Sequence, residues 1–127
     1  MGFEAYVVGE TSTPAAGKDD VLIVASGSAD YNFERLKKDG VKILLFTSNT
    51  EVQNLDENDL VVILEGRRVE GKNLSAKKIE SDENIAPMGT DFEISLVLYE
   101  IALIALIMKI CEITEKEMEK RHATIKH

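Results

Sequence analysis

Two serines, a glutamate and a histidine are the residues of this chain best suited by type and placing to chemistry. Ser26 and Ser28, in Ser26-Gly27-Ser28, follow an apolar run at 21–25 and precede Ala29-Asp30, where a helix is expected to begin. A strand ending in small hydroxyl residues at a helix start is a place to hold an oxyanion. The helix end offers unpaired N–H groups and a positive dipole end, and the hydroxyls add donors. Small residues also simply suit a tight turn, and the Ser-Gly-Ser spacing alone leaves the two readings even. Glu93 is the best candidate for a general base: it sits in the first turn of an apolar helix, where partial burial would suit it to take a proton. The dipole there favours the anion instead. Thr90-Asp91-Phe92-Glu93 also spells a capping box, and the residues by themselves favour the cap. Glu100 falls two turns later on the same side, an acidic stripe for a cleft or a partner subunit. His122, after Arg121 near the end of the last helix, could pass protons near neutrality, although a histidine in a charged helix is more often exposed and idle. His127 is given no role. Two histidines and one cysteine, set far apart, make no metal site.

These residues need elements to position them. Four continuous apolar runs, at 5–8, 21–25, 43–46 and 60–64, read as strands of a parallel sheet covered on both faces. Residues 32–39 read as a two-turn helix ending at Gly40, and 50–55 as a single turn. Residues 10–20 read as an extended loop, short for a parallel return. Residues 66–87 form a long polar connection with Arg67, Arg68, Lys72, Lys77 and Lys78; the interspersed Glu65, Glu70 and Glu80 favour a solvated loop over a basic flap. Helices are expected near 90–111 and near 114–122, the second opened by another capping box, Thr114-Glu115-Lys116-Glu117.

At 127 residues the chain is expected to form one domain. Its net charge of −8 argues against a nucleic-acid or anionic-membrane partner, because long-range attraction has the wrong sign. A single cysteine, Cys111, and the absence of a basic-then-apolar leader in residues 1–6 point to the cytoplasm. The apolar segment 94–110 contains Glu100 and Lys109, and a mid-helix acid costs about 2.5–3.5 kcal/mol on insertion. It reads as a buried helix.

Several blocks line up with one family. Tyr6-Val7-Val8-Gly9-Glu10-Thr11, Thr13-Pro14, and Asp20-Val21-Leu22-Ile23 running into Ser26-Gly27-Ser28 resemble the sugar isomerase (SIS) domain of 6-phospho-3-hexuloisomerases. Pro87-Met88-Gly89-Thr90, with Phe92-Glu93, resembles that family's Pro-x-Gly-Thr-x-Phe-Glu block, and Thr114-Glu115-Lys116 with Glu119, Arg121, His122 and Ala123 its closing signature. The resemblance implies an α/β fold, a doubly wound parallel sheet in three layers (α-β-α), assembled as a homodimer or tetramer. It implies an isomerase that interconverts 3-hexulose 6-phosphate and fructose 6-phosphate through an enediol, without a cofactor. In that frame Ser26 and Ser28 bind the phosphate, Glu93 is the catalytic base, and His122 is a catalytic histidine reaching a neighbouring subunit's site. The family's first strand and Gly-Arg-Ser-Gly-like loop have no counterpart here, so the domain is expected to be a partial, N-terminally truncated one. Pairing of 5–8 with 21–25, or a swapped strand, would close the gap left in the sheet. Where the family has Ser-Gly-Ser-Gly-Glu-Thr this chain has Ser26-Gly27-Ser28-Ala29-Asp30-Tyr31, and Ala29 would be crowded wherever positive φ is required. The alternatives are a sugar-phosphate-binding or oligomerisation module without turnover, or one half of a split isomerase.

Overall fold

The structure, a computed structural model, describes residues 2–65 and 90–121. The basic connection at 66–87, Pro87-Met88-Gly89 and His122 lie outside the described residues. Two compact units divide the chain: Ala15–Val97, and a second that joins residues up to Pro14 with those from Leu98 onward.

Within the first unit, β1 (Val21–Ala25), β2 (Lys42–Thr47) and β3 (Leu60–Ile63) form a parallel sheet in the order β1-β2-β3. Leu22 pairs with Ile43 and Val24 with Leu45, while Leu45 pairs with Val61. Because side chains alternate, these residues share one face. That face is the core, where Ala29, Phe33, Ile43 and Leu45 cluster and Leu22, Val24, Leu36, Val52 and Leu55 pack around them.

The segment between β1 and β2 carries α1, Glu34–Lys38, which supplies Leu36 to that core. It is a single short helix rather than two full turns, stopped by Gly40. Gly40 N–H bonds to Lys37 O, Val41 N–H bonds to Leu36 O, and Gly40 has φ +78. This is the paired C-terminal closure that wants a left-handed residue. A Cβ on Gly40 would also lie 3.0 Å from Lys18 Cβ, so a side chain there would be crowded as well as strained. No helix forms at 50–55. That stretch is held by side-chain turns, Asn49 Oδ1 accepting from Glu51 N–H and Asp56 Oδ1 from Asn58 N–H.

A buried carboxylate ties α1 to the sheet. The Asp59 side chain is 0% exposed; its Oδ1 accepts from Lys37 Nζ at 2.7 Å and Ile43 N–H at 2.9 Å, and its Oδ2 from Asp56 N–H at 2.9 Å. Asp56 completes the cluster with a 2.8 Å ion pair to Lys37. Burial pushes the Asp59 carboxyl up, but the bonds from Lys37, Asp56 N–H and Ile43 N–H outweigh it and hold the group below the usual aspartate range.

Three expectations are corrected here. Residues 5–8 are not a strand: Val7 O accepts from Glu10 N–H and from the Thr13 hydroxyl, so the backbone closes a turn instead of joining a ladder. Among the described residues β1 is the outer strand of the sheet, and 5–8 forms no strand to pair with it. The sheet is not covered on both faces along its edges either, since Val21, Ile23 and Leu60 are more than half exposed. An unbroken apolar run is therefore compatible with one buried face.

The long helix α2 spans Asp91–Ile110, and α3 spans Glu115–Arg121. The expected buried helix is the third correction. Phe92 is its one buried residue, whereas Ile94, Val97, Leu98 and Ile101 are each more than half exposed. The sequence is apolar all round the helix, and only one side finds cover among the described residues. The second capping box forms as spelled: Thr114 N–H and its hydroxyl donate to Glu117 Oε2, and Glu117 N–H donates to Thr114 Oγ1. Those bonds, with Arg121 adding a smaller pull, hold the Glu117 carboxyl below its usual range.

Candidate phosphate-binding turn

The ends of β1 and β2 lie side by side, and the candidate site is built from the turns that leave them. Ser26 N–H still bonds to Phe46 O at 2.9 Å, the last rung of the ladder. The chain then turns over residues 26–29, with Ser26 Oγ accepting from Ala29 N–H at 3.2 Å. Ala29 adopts φ +51, the left-handed region, and is packed into the core. The crowding expected of a side chain here is thus present, and its methyl burial offsets part of a strain of about 1–2 kcal/mol.

Ala29-Asp30 does not begin a helix. The first helical residue is Glu34, whose N–H is received by Asn32 Oδ1 at 2.9 Å. A left-handed residue at 29 points the chain away from a right-handed helix, and Tyr31 N–H closes back on Ala29 O. The dipole end expected from a helix starting at Ala29-Asp30 is therefore not supplied to Ser26 and Ser28. What the turn has instead is a brace from β2 that the sequence reading missed.

Thr47 Oγ1 and Ser48 Oγ both donate to Gly27 O, at 3.1 and 3.0 Å, and Asn49 Nδ2 donates to Ser28 O at 2.9 Å. Thr47 Oγ1 also accepts from Asn49 N–H, so the brace is itself a connected network. Thr47 and Ser48 are buried, at 0% and 4% exposure, and their hydroxyls are spent on this turn. The available signal was a second run of hydroxyl and amide residues straight after a strand, Thr47-Ser48-Asn49-Thr50.

The brace has a consequence for donors. A trans peptide sets its N–H opposite its C=O. Fixing Gly27 O toward Thr47 and Ser48 therefore turns Ser28 N–H away from β2, where it has no partner among the described residues. The exposed Ser28 hydroxyl belongs to the same residue, and Ser26 Oγ, which accepts from Ala29 N–H, keeps its own proton to donate. Two hydroxyls and one amide can thus serve an anion at the carboxyl end of a parallel sheet, where ligands of open α/β sheets bind.

Glu93 is exposed on the first turn of α2, without the partial burial expected of a base. Among the described residues no hydrogen bond joins it to Thr90 or to the turn at 26–29, and this helix end is closed by Ile94 N–H bonding to Thr90 O. The first capping box is therefore not made. His122 lies outside the described residues. No cluster of histidine, cysteine, aspartate or glutamate suited to a metal occurs among the described residues, and no single described helix is long and apolar enough to cross a membrane.

A parallel sheet with one helix in its first connection and two more after its last strand defines an α/β protein. No family model matches the chain. It is 33% identical to a protein of Methanocaldococcus jannaschii named 3-hexulose-6-phosphate isomerase, over 98% of this chain and 64% of that one. It is likewise 33% identical to an uncharacterised protein of Archaeoglobus fulgidus, over 98% of this chain and 68% of the relative. A solved structure, the crystal structure of a hypothetical protein, superimposes with a TM-score of 0.70 at 33% identity, covering 98% of this chain and 65% of that one. The chain belongs to the family these proteins form, several members of which carry the name 3-hexulose-6-phosphate isomerase. It spans about two-thirds of the length of the curated relatives it matches.

Proposed function

We propose that this chain is a sugar-isomerase (SIS) type module, a partial doubly wound three-layer domain, that binds a hexulose 6-phosphate in the cytoplasm. Its reaction is the interconversion of 3-hexulose 6-phosphate and fructose 6-phosphate. The observation that carries this reading is the braced turn at 26–29, which presents Ser26, Ser28 and the Ser28 amide at a sheet end. The name borne by several relatives supports the substrate class. In the proposed chemistry Glu93 takes the proton from the carbinol carbon beside the carbonyl and returns it to the neighbouring carbon. The enediol forms between these steps, and His122 exchanges the protons on the two oxygens. No cofactor is needed, because no electron leaves the sugar. Assembly as a homodimer or tetramer would bring His122 of one subunit toward a neighbour's site.

A second reading, sugar-phosphate binding without turnover, is favoured by Ala29 at φ +51 in the turn and by Glu93 standing exposed and unlinked to it. Incubation with fructose 6-phosphate, followed for the 3-hexulose product, separates the two. Turnover that Glu93→Gln abolishes supports the isomerase; turnover unchanged by that substitution removes Glu93 from the base role. A thermal shift with sugar phosphates that Ser26→Ala and Ser28→Ala weaken supports the turn as the phosphate site, with or without turnover. No shift with any sugar phosphate refutes it.

A further inference from the structure

The two serine hydroxyls of the turn are not placed in the same way. Ser28 is exposed, whereas Ser26 is half-buried and its Oγ accepts from Ala29 N–H at 3.2 Å. The peptide that supplies this N–H lies between Ser28 and Ala29, and its other side is held from the end of β2. Asn49 Nδ2 donates to Ser28 O at 2.9 Å. In a trans peptide the C=O and N–H point opposite ways. Holding Ser28 O toward Asn49 therefore turns Ala29 N–H to the far side, where Ser26 Oγ receives it. Asn49 and Ser26 are thus joined through one planar unit, and each bond in such a chain polarises the next.

Asn49 is itself fixed. Its Oδ1 accepts from Glu51 N–H at 2.8 Å, and its own N–H donates to Thr47 Oγ1 at 3.0 Å. Turned over, the side-chain amide would set its oxygen against Ser28 O and its NH2 against Glu51 N–H, and both bonds would be lost. An aspartate in its place would still satisfy Glu51 N–H but would have no donor for Ser28 O.

We propose that Asn49 is a positioning residue for the Ser26 hydroxyl. Through the 28–29 peptide it holds Ala29 N–H on Ser26 Oγ and so directs the Ser26 proton toward the bound phosphate. This role rests on the reading of the turn as the phosphate site. With one lone pair of Oγ taken by Ala29 N–H, rotation about the Cβ–Oγ bond is restricted and the proton is kept for an outside acceptor. Asn49 does not touch the anion in this arrangement, because Nδ2 is used on Ser28 O. The Ser28 amide is placed separately, by Thr47 and Ser48 on Gly27 O, so loss of the Asn49 side chain acts on Ser26 and not on that amide.

Inorganic phosphate titrated against the full chain, followed by amide NMR, tests this in the parent, Ser26→Ala, Asn49→Ala and the double variant. The amides of residues 26–29 should move with phosphate in the parent. Asn49→Ala should weaken phosphate about three- to tenfold, the range of one neutral hydrogen bond. In the Ser26→Ala background the same substitution should change affinity by less than about twofold, because the hydroxyl it acts through is gone. Without phosphate, Asn49→Asp should speed hydrogen exchange at the Ala29 amide about three- to tenfold, although it keeps the acceptor for Glu51 N–H. Because Asn49→Asp preserves that local turn, the exchange measurement stands even where Asn49→Ala does not fold. Equal weakening by Asn49→Ala in both backgrounds overturns the proposal, since a loosened turn or a direct contact of Asn49 with phosphate gives that result. So does an unchanged Ala29 exchange rate in Asn49→Asp. Phosphate affinity that falls in Ser26→Ala but not in Asn49→Ala overturns the role of Asn49 and leaves the phosphate site standing. Amides at 26–29 that do not respond to phosphate in the parent overturn the site and the proposal together.

Discussion

Replacing Asp59 with alanine removes a group that makes three bonds at once. Oδ1 holds Lys37 Nζ and Ile43 N–H, the latter near the start of β2, and Oδ2 holds Asp56 N–H. The side chain is 0% exposed, so water does not readily replace what is lost. A hydrogen bond to a charged group contributes about 1.5–3 kcal/mol, and the three share one carboxylate, so they do not add in full. The loss should come to roughly 3–4 kcal/mol, the range found on breaking a buried pair, out of a total of about 5–15. Asp59→Asn keeps one acceptor oxygen and should lose roughly half as much. Urea unfolding followed by circular dichroism reads this directly, with the slope unchanged and the midpoint lowered. An Asp59→Ala midpoint indistinguishable from that of the parent would refute the cluster as the tie between α1 and the sheet. The pH dependence supplies a second reading. Asp56, bonded first of all by Lys37 and then by Asn58 N–H, and Asp59 both titrate below the ordinary aspartate value of 3.8. Their contribution is therefore complete above the unfolded-state value and is lost as pH falls through the folded one. Lys37, raised above 10.5 by its bonds to Asp56 and Asp59, adds a contribution that is complete below that value and is lost as pH rises past it. Stability should sit on a plateau between these limits, and the acid-side loss should be shallower in Asp59→Ala.

Other substitutions test the remaining local claims. Glu112 closes α2 at φ +53, with Ile113 N–H bonding to Met108 O, so Glu112→Gly should stabilise the chain by about 0.5–1 kcal/mol in urea unfolding. Ala29→Gly relieves a similar strain but gives up a buried methyl worth about 0.8 kcal/mol, so it should be near neutral, whereas Ala29→Val should cost more than about 2 kcal/mol. Thr47→Val removes a donor to Gly27 O and an acceptor for Asn49 N–H. It should cost about 1–3 kcal/mol and weaken any phosphate-dependent thermal shift with it. Thr114→Ala should lower the thermal midpoint by the loss of a cap worth about 1 kcal/mol.

Much of the scaffold could be read from the residues, and the misses have physical causes. The run Val21–Ala25 was bounded by Asp20 and Ser26 and is β1 to the residue. Gly40 was legible as a helix stop because few other residues take that conformation. The second capping box was legible because Thr114 and Glu117 need only local geometry. The failures are non-local. Whether 5–8 ladders depends on a neighbour strand, and an apolar run does not announce one. Whether α2 is buried depends on what covers it, and a helix apolar all round looks the same in either case. The helix expected at Ala29 was lost to a single left-handed residue, which the chain pattern flagged as crowding but not as a change of direction. The brace from Thr47, Ser48 and Asn49 escaped notice because its partners are carbonyls about twenty residues away, and carbonyls carry no sequence signal.

The chemistry of the turn bounds how tightly its described residues alone can hold a phosphate monoester. The helix after β1 does not start at the turn, since α1 begins at Glu34. The cation nearest in sequence on α1 that is partly buried, Lys37, is committed to Asp56 and Asp59 beside Ile43, near the start of β2 and not at the end where the turn lies. The net charge of −8 opposes an incoming dianion at long range. The turn offers the Ser26 hydroxyl, the Ser28 hydroxyl and the Ser28 amide, neutral donors to a charged acceptor. Together they supply on the order of 4 kcal/mol once desolvation is met, which is millimolar affinity. The brace keeps even that figure attainable, because the turn is ordered on folding and little conformational entropy is left for the ligand to overcome. Inorganic phosphate titrated against the chain should therefore saturate in the millimolar range. Micromolar binding that survives Ser26→Ala together with Ser28→Ala would place the anion elsewhere.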